Sequence, residues 1–195
     1  MPRLPSAHAR ARPDRGRPDQ NSALSGDPQH GWRTELDASI TEFIAAQRSC
    51  FLATASAAGQ PYIQHRGGPP GFLRVLDAHT LGFADFRGNR QYITLGNLTE
   101  NPQAHLFLID YATRSRVKIW GRARVVDDPD TVRSLVVPGY PAEPEQALLI
   151  TVAAWDANCP QHIPQRLEAD DVARALAAKD ARIAELEAAL RARRG

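Results

Sequence analysis

The sequence predicts a mainly β fold of the α+β class: an antiparallel barrel with small flanking helices and a C-terminal helix. Three observations support this prediction. Several short apolar runs have the length and composition of strands, tight polar turns join most of them, and no repeated β-α-β units are present. With 195 residues the chain is long enough for one ordinary domain but short for two.

The composition divides the chain into three parts. Residues 1–31 are rich in Pro, Arg, Gly, Asp and Ser without apolar periodicity, which predicts a disordered basic tail. Residues 32–166 contain the runs described above and form the predicted domain. Residues 167–195 predict an amphipathic helix, because residues at alternating four- and three-residue steps form a coiled-coil seam: Val172, Leu176, Lys179, Ile183, Leu186 and Leu190. This helix could pack on its own barrel or pair across a dimer, and we favour the dimer.

The elements of the domain are predicted in the following order. Apolar residues recur at helical spacing over 36–44, with Thr34 or Asp37 as the cap. Seven runs read as strands: 50–55, 61–65, 72–76, 80–84, 104–111, 116–126 and 147–155. A second helix is predicted over residues 90–100, and Asn101-Pro102 ends it.

Charge and cysteine content exclude several classes of protein. The net charge is +2, with 24 basic and 22 acidic residues, so the strong basic excess of a nucleic-acid binder is absent. Cys50 and Cys159 are far apart and show no metal-binding spacing, which predicts neither a disulfide framework nor a zinc site. No apolar run is long enough for a membrane span or a secretory signal. We therefore expect a soluble, cytoplasmic protein without a metal, nucleic-acid or membrane partner.

The predicted strand over residues 116–126 has two different faces. Its core face would carry Val117, Ile119, Gly121, Ala123 and Val125. Its other face would carry Arg116, Lys118, Trp120, Arg122 and Arg124. Such a face is either the solvated outside of a barrel strand or an anion-binding wall. Trp120 favours the second interpretation, because an exposed indole usually contacts a ligand or a partner.

Two glycine-containing segments are candidate phosphate-binding loops. In residues 64–71, two glycines follow Arg66 and allow close approach to the backbone, although the same residues could form a rigid loop only. Residues 85–90 leave a strand and open the predicted helix, whose N-terminus would attract an anion. Here the alternative is an ordinary turn with Asn89 as the helix cap. Neither segment matches a Walker or Rossmann motif.

Residues 51–126 resemble the flavin-binding part of the pyridoxamine 5′-phosphate oxidase-like family of FMN split barrels. The segments that carry the resemblance are Phe51-Leu52-Ala53-Thr54, Pro61 to Arg66, Leu81-Gly82-Phe83-Ala84-Asp85, Gly88-Asn89-Arg90, Asn97-Leu98 with Asn101-Pro102, and Arg116-Val117-Lys118-Ile119-Trp120-Gly121. The resemblance implies a split β-barrel that binds FMN and works as a homodimer with the flavin at the subunit interface.

The resemblance also implies which residues bind the cofactor. The phosphate would be held by Arg66 and Arg90, and Lys118 could reach N1 and O2 of the flavin ring. The full implied set is Gln64, His65, Arg66, Gly67, Phe83, Ala84, Asp85, Gly88, Asn89, Arg90, Arg116, Lys118 and Trp120. The chain departs from the vitamin B6 oxidases at Gln91, where they carry a lysine, and at Arg116, where they carry a glutamine.

The implied function is that of an FMN-dependent oxidoreductase, which moves electrons or hydride through flavin N5 between a reductant such as NAD(P)H and a small substrate. Lys118 and His162 are the candidate catalytic residues, and Cys159 is a weaker candidate. The C-terminal Arg-x-His and Arg-Leu-x-Pro motifs of the vitamin B6 oxidases are absent, which indicates a different substrate. The alternatives are a non-catalytic flavin-binding or storage protein and a barrel that uses haem or F420.

Overall fold

The computed structural model describes residues 33–88, 91–158 and 161–193, which form seven strands and four helices. The helices are α1 (Ala38–Ala46), α2 (Ile93–Glu100), α3 (Pro129–Leu135) and α4 (Ala169–Ala192). The strands are β1 (Ser49–Ala55), β2 (Pro61–Gly67), β3 (Arg74–Asp77), β4 (Thr80–Phe86), β5 (Gln103–Asp110), β6 (Ser115–Val126) and β7 (Pro144–Asn158). The predicted tail over residues 1–31 lies outside the described residues, as do Asn89, Arg90 and Cys159.

The seven strands form one antiparallel sheet in the order β2-β1-β5-β6-β7-β4-β3. Strands β2 and β4 are not hydrogen-bonded to each other in this order. The sheet nevertheless curls far enough to bring β2 and β4 together. Arg66 Nη1 on β2 donates to Asp85 Oδ1 on β4 at 2.6 Å. The sheet is therefore a split barrel of the predicted mainly β, α+β class, with a seam that side chains bridge.

The inner face of the barrel carries the main core. Along β1 the buried residues Cys50, Leu52 and Thr54 alternate with half-buried ones, as expected for a strand with one face in a core. Helix α1 packs Ile40 and Ile44 into the same core, and the side chain of Asp37 caps it by accepting from the amides of Ser39 and Ile40. A smaller apolar cluster lies where α3 covers β4 and β7.

Three predictions for local structure were wrong. Helix α2 begins at Ile93 rather than at residue 90, and its N-cap position is Tyr92 rather than Asn89, because the helix is anchored by the buried Thr94. Phe72 lies in the core but outside any strand, since the backbone turns at Gly71, whose φ is +87°. Val125 is 37% exposed because the end of β6 runs past the main core.

Helix α3 was not predicted, although its signals are present in the sequence. Asp128 accepts from the amide and hydroxyl of Thr131, and Pro129 occupies the first helical turn. Val132 and Leu135 are then buried one turn apart. The helix has only seven residues and is followed by a Pro-rich connection, so its short apolar pattern did not predict a helix.

Helix α4 extends from the barrel without burying any of its residues. Near its start, Arg48 lies within 3.8 Å of Glu168 and 4.0 Å of Asp170. No helix among the described residues is long and apolar enough to cross a membrane.

Candidate functional site

The ion pair of Arg66 and Asp85 is the centre of the candidate site. Both side chains are mostly buried, at 17% and 12% exposure, and Gln146 Nε2 also donates to Asp85 at 3.1 Å. The guanidinium of Arg66 lies 5.9 Å from the ring centre of Phe83, which faces the same interior. The Nε of Arg66 is buried and has no hydrogen-bond partner. One donor of a buried cation is therefore available to a ligand.

Two cavities meet at this ion pair. The small cavity, of about 60 Å³, lies between β2 and the start of α2, and Gln64, Gly88 and Thr94 are among its lining residues. The aromatic cavity, of about 250 Å³, is lined by Phe72, Phe83 and Tyr140, together with other residues of β2 and β4. Arg66 and Asp85 line both cavities. A ligand with an anionic group and an aromatic ring could use the two cavities together.

Helix α2 is fixed against the small cavity by two hydrogen bonds to the barrel. The hydroxyl of the buried Thr94 donates to Gln64 Oε1 at 2.9 Å, and Asn97 Nδ2 donates to Thr54 at 3.0 Å. These bonds hold the first turn of α2 beside the inner face of β2. The described residues at the start of α2 that line the small cavity are Gln91, Tyr92, Thr94 and Leu95.

Three predicted site residues, His65, Lys118 and Trp120, lie on the outer face of the sheet, beside residues that were not predicted. His65, Phe51, Phe107 and Lys118 are successive cross-strand partners on β2, β1, β5 and β6, so their side chains share one face. Trp120 lies beside them, 4.8 Å from the ring of His105. Lys118 Nζ lies 5.9 Å from the indole of Trp120. This outer patch, which also contains His105, is aromatic and cationic.

Two titratable groups at the site have shifted pKa values. Burial lowers the pKa of His105, and the charge of Lys118 lowers it further. The Nε2 of His105 is buried without a hydrogen-bond partner, which agrees with a neutral ring. Burial also raises the pKa of the Cys50 thiol to about 12, and the nearby Arg66 opposes this only in part. Cys50 is therefore a neutral core residue rather than a nucleophile.

The structure divides the predicted site residues into separate groups. Seven of them line the two cavities in addition to Arg66: Gln64, His65, Gly67, Phe83, Ala84, Asp85 and Gly88. Lys118 and Trp120 lie on the opposite face of the sheet, and His65 reaches both because β2 is an edge strand. A single protomer therefore does not bring Lys118 to Arg66.

Two further candidates lie at the end of the sheet where β6 begins and β7 ends. Arg116 borders a third cavity, of about 210 Å³, with Phe43 and Trp155, and its Nε is buried without a partner. His162 is exposed, has a φ of +64° and follows the end of β7 that pairs with Arg116. Neither residue lines the cavities at Arg66.

Sequence reasoning missed several residues that complete the cavities. Tyr140 lies in the α3–β7 connection and Glu145 in β7, 54 and 59 residues after the end of β4 in the chain. Arg87 donates to Glu145 at 3.0 Å and also pairs with Glu143. His105 was overlooked because a single histidine in an apolar strand carries no local motif.

Comparison with known proteins identifies the class. The family described as pyridoxamine 5′-phosphate oxidase matches residues 36–159, so this chain belongs to that family. Members of the family bind flavin or a related cofactor. The chain differs from the authentic vitamin B6 oxidase and resembles other members, as the sequence predicted. A comparison with curated proteins found no match.

Solved structures of similar fold include HupZ from Group A Streptococcus, which is 15% identical with a TM-score of 0.51 over 67% of this chain and 99% of that chain. A Clostridium acetobutylicum protein related to general stress protein 26 is 14% identical, with a TM-score of 0.46 over 67% and 92%. The FAD-binding protein from Mycobacterium smegmatis is 14% identical, with a TM-score of 0.45 over 65% and 97%. At these identities the likeness to HupZ shows the fold alone.

The residues at the cavities fit a phosphate-bearing flavin in three respects. The unpartnered Nε of Arg66 can donate to a phosphate oxygen, and the aromatic cavity can take part of a ring. Among the described residues, a Cβ atom at Gly88 would come within 4 Å of the Phe86 carbonyl oxygen alone, at 3.9 Å, so this backbone is not crowded by them. The Asp85 carboxylate disfavours an anion at Arg66, because it already occupies one side of the Arg66 guanidinium.

Proposed function

We propose that this protein binds FMN and acts as an oxidoreductase on a small substrate. The observation that carries the proposal is the buried, unpartnered Nε of Arg66 at the junction of the two cavities. A buried guanidinium with an unused donor is suited to a phosphate group, and charge-assisted hydrogen bonds of this kind are short and strong. Membership of the family supports a flavin as the bearer of that phosphate.

The residues of this chain would divide the work as follows. Arg66 would hold the phosphate, and Gln64 and Thr94 would fix the wall of the small cavity beside it. Phe72 and Phe83 would exclude water from the ring side. FMN, when bound, supplies hydride or single-electron transfer. Lys118 would stabilise negative charge at the pyrimidine end of the ring.

The proposed function requires a homodimer, because Lys118 and Arg66 lie on opposite faces of the sheet in one protomer. The outer patch of Phe51, Phe107, Lys118 and Trp120 is half-buried and apolar enough to face another protein surface. In such a dimer, the outer patch of one protomer would cover the cavities of the other. Each flavin would then contact both subunits.

The first experiment identifies the ligand. Protein purified with its natural ligand should absorb near 370 and 450 nm, and heat should release a molecule with the mass of FMN. Addition of NADH or NADPH should then bleach the reconstituted protein. A Soret band would indicate haem, a single band near 420 nm would indicate F420, and a flavin that no reductant bleaches would favour storage over catalysis.

A second experiment tests the shared site. Arg66→Ala and Lys118→Ala proteins should each bind FMN weakly, whereas Arg124→Ala, which removes an exposed cation from the same strand, should bind normally. Reassembling the two weak variants together should restore binding at about a quarter of the sites, since random mixing gives heterodimers with one intact site each. Absence of any recovery would show that Lys118 and Arg66 do not serve one flavin.

The substrate is proposed to differ from pyridoxamine 5′-phosphate. The Arg-x-His and Arg-Leu-x-Pro motifs with which the vitamin B6 oxidases bind that substrate are missing from residues 159–195. Pyridoxamine 5′-phosphate should therefore be turned over poorly or not at all by the FMN-loaded protein. Turnover of about 1 per second, which is ordinary for an enzyme, would refute this part of the proposal.

A further inference from the structure

We propose that helix α4 pairs in parallel and in register with α4 of a second copy of this chain, forming a two-stranded coiled coil. The inference rests on the homodimer of the proposed function, which supplies the second copy. It goes beyond that function because the proposed flavin site does not involve α4. The stripe that would form the contact is called the α4 seam: Val172, Leu176, Lys179, Ile183, Leu186 and Leu190.

The α4 seam has no partner among the described residues. Val172 is 38% exposed and Leu176 is 56% exposed, and the three apolar residues that follow are each 53% exposed. The helix is 24 residues long, yet none of its residues is buried. The barrel of the same protomer reaches only the start of α4, through Arg48. Packing of the seam on its own barrel is thus not what the structure shows.

The spacing of the α4 seam defines a heptad pattern. Leu176, Ile183 and Leu190 occupy a positions, whereas Val172, Lys179 and Leu186 occupy d positions. Three of the six e and g positions between Val172 and Leu190 are alanine. The charged exceptions are Asp180 and Glu187 at e positions and Arg182 at a g position. One edge of the seam is therefore acidic and the other is basic.

This charge distribution selects a parallel pair. In a parallel coiled coil a g residue faces the e residue five positions later in the other helix. Arg182 would face the partner's Glu187, and the symmetry would form this pair twice. In an antiparallel pair e positions face e positions, so the acidic edges that carry Asp180 and Glu187 would lie against each other. Only the parallel arrangement gives opposite charges on both sides.

Lys179 fits the same arrangement. A d residue packs beside the e position that follows it on the other helix, so the Lys179 ammonium would lie next to the partner's Asp180. A lysine in the seam lowers stability and fixes the register. Three heptads with one charged layer would be marginal as isolated helices, but two barrels that already associate hold the helices at a high effective concentration.

Disulfide cross-linking tests the arrangement in the full-length protein. Leu186→Cys, introduced into a Cys159→Ser background, places a thiol at a d position where parallel helices bring the two copies within disulfide range. Ala188→Cys, on the outside of the same helix, is the matched control. Leu186→Cys should form a covalent dimer at least about tenfold faster than the control. Equal rates would overturn the proposal.

An antiparallel pair gives a different result. There Leu186→Cys would lie far from its own copy and near residue 176 of the other helix, so only a mixture of Leu176→Cys and Leu186→Cys proteins would cross-link. That outcome would also overturn the proposal. The flavin content of each sample is measured in parallel: a cross-linked protein without flavin supports the coiled coil and refutes the proposed function, whereas flavin binding without cross-linking refutes the coiled coil alone.

A thermal measurement provides an independent check. Lys179→Leu replaces the charged layer with an apolar one and should raise the melting temperature by about 5 °C or more. Arg174→Leu makes a similar change on the outside of the helix and should leave the melting temperature nearly unchanged. Equal melting temperatures for Lys179→Leu and the parent protein would overturn the proposal.

Discussion

Replacement of Asp85 by asparagine should tighten the binding of FMN. The Asp85 carboxylate lies 2.6 Å from Arg66 Nη1 and is 12% exposed, so it neutralises the cation that is proposed to bind the phosphate. Asparagine keeps the size of the side chain and its ability to accept from Gln146, but it removes the negative charge. Arg66 would then be free to pair with the ligand.

The magnitude follows from the geometry of the ion pair. A phosphate that accepts from the free Nε of Arg66 would lie about 6 Å from the Asp85 carboxylate, since both anions would contact one guanidinium. At an effective dielectric constant of about 20, two unit charges at that separation repel by about 3 kcal/mol. Residual solvent screening reduces this value, so we expect FMN affinity to rise by about 10- to 100-fold.

The assay is the quenching of flavin fluorescence on titration of apoprotein. Riboflavin, which lacks the phosphate, should bind Asp85→Asn and the parent protein alike, and Asp128→Asn, at the cap of α3, should leave both affinities unchanged. Arg66→Ala should weaken FMN by about 10- to 100-fold without affecting riboflavin. An FMN affinity that is unchanged or weaker in Asp85→Asn would refute the assignment of the phosphate to Arg66.

Three other properties can be measured directly. Burial and the charge of Lys118 lower the pKa of His105 in the folded state from 6.5, so the melting temperature should fall as the pH drops below about 6.5. His105→Gln should lose part of that pH dependence, and identical pH profiles for the two proteins would contradict the prediction. In a Cys159→Ser background, Cys50 should react with a thiol reagent at pH 8 only after unfolding, since its pKa is about 12; rapid reaction of the native protein would show that the barrel opens there. Deletion of residues 170–195 should leave a dimer that binds FMN and melts several degrees lower; a flavin-free monomer would show that α4 is essential for assembly.

The sequence predicted where the seven strands lie along the chain, because each is marked by turns and by an apolar run. The strands over 104–111 and 116–126 deviate from the structure by one residue at their ends. Helix starts were harder to predict. The first turn of α2 depends on the contact of Thr94 with Gln64, 30 residues earlier in the chain, and local propensity does not contain that information.

The candidate site was predictable in part. Arg66, Asp85 and Gly88 follow from the family resemblance, and the structure brings them to one place. The separation of Lys118 from Arg66 was not predictable from the resemblance alone, because it depends on which face of the sheet each residue occupies. The participation of Tyr140 could not be predicted from the sequence either, since its position depends on how a long connection folds back over β4.

Separating β2 from β4 at the seam should cost less free energy than separating two hydrogen-bonded strands of the sheet. Elsewhere around the sheet, separating two neighbouring strands would break a ladder of backbone hydrogen bonds, such as the one that joins β6 to β7 over eleven residue pairs with a register shift after Trp120. At the seam, side chains make the contact, among them the ion pair of Arg66 and Asp85. Opening the barrel at this seam would therefore leave the backbone ladders of the sheet intact, so the remaining strands would not have to separate.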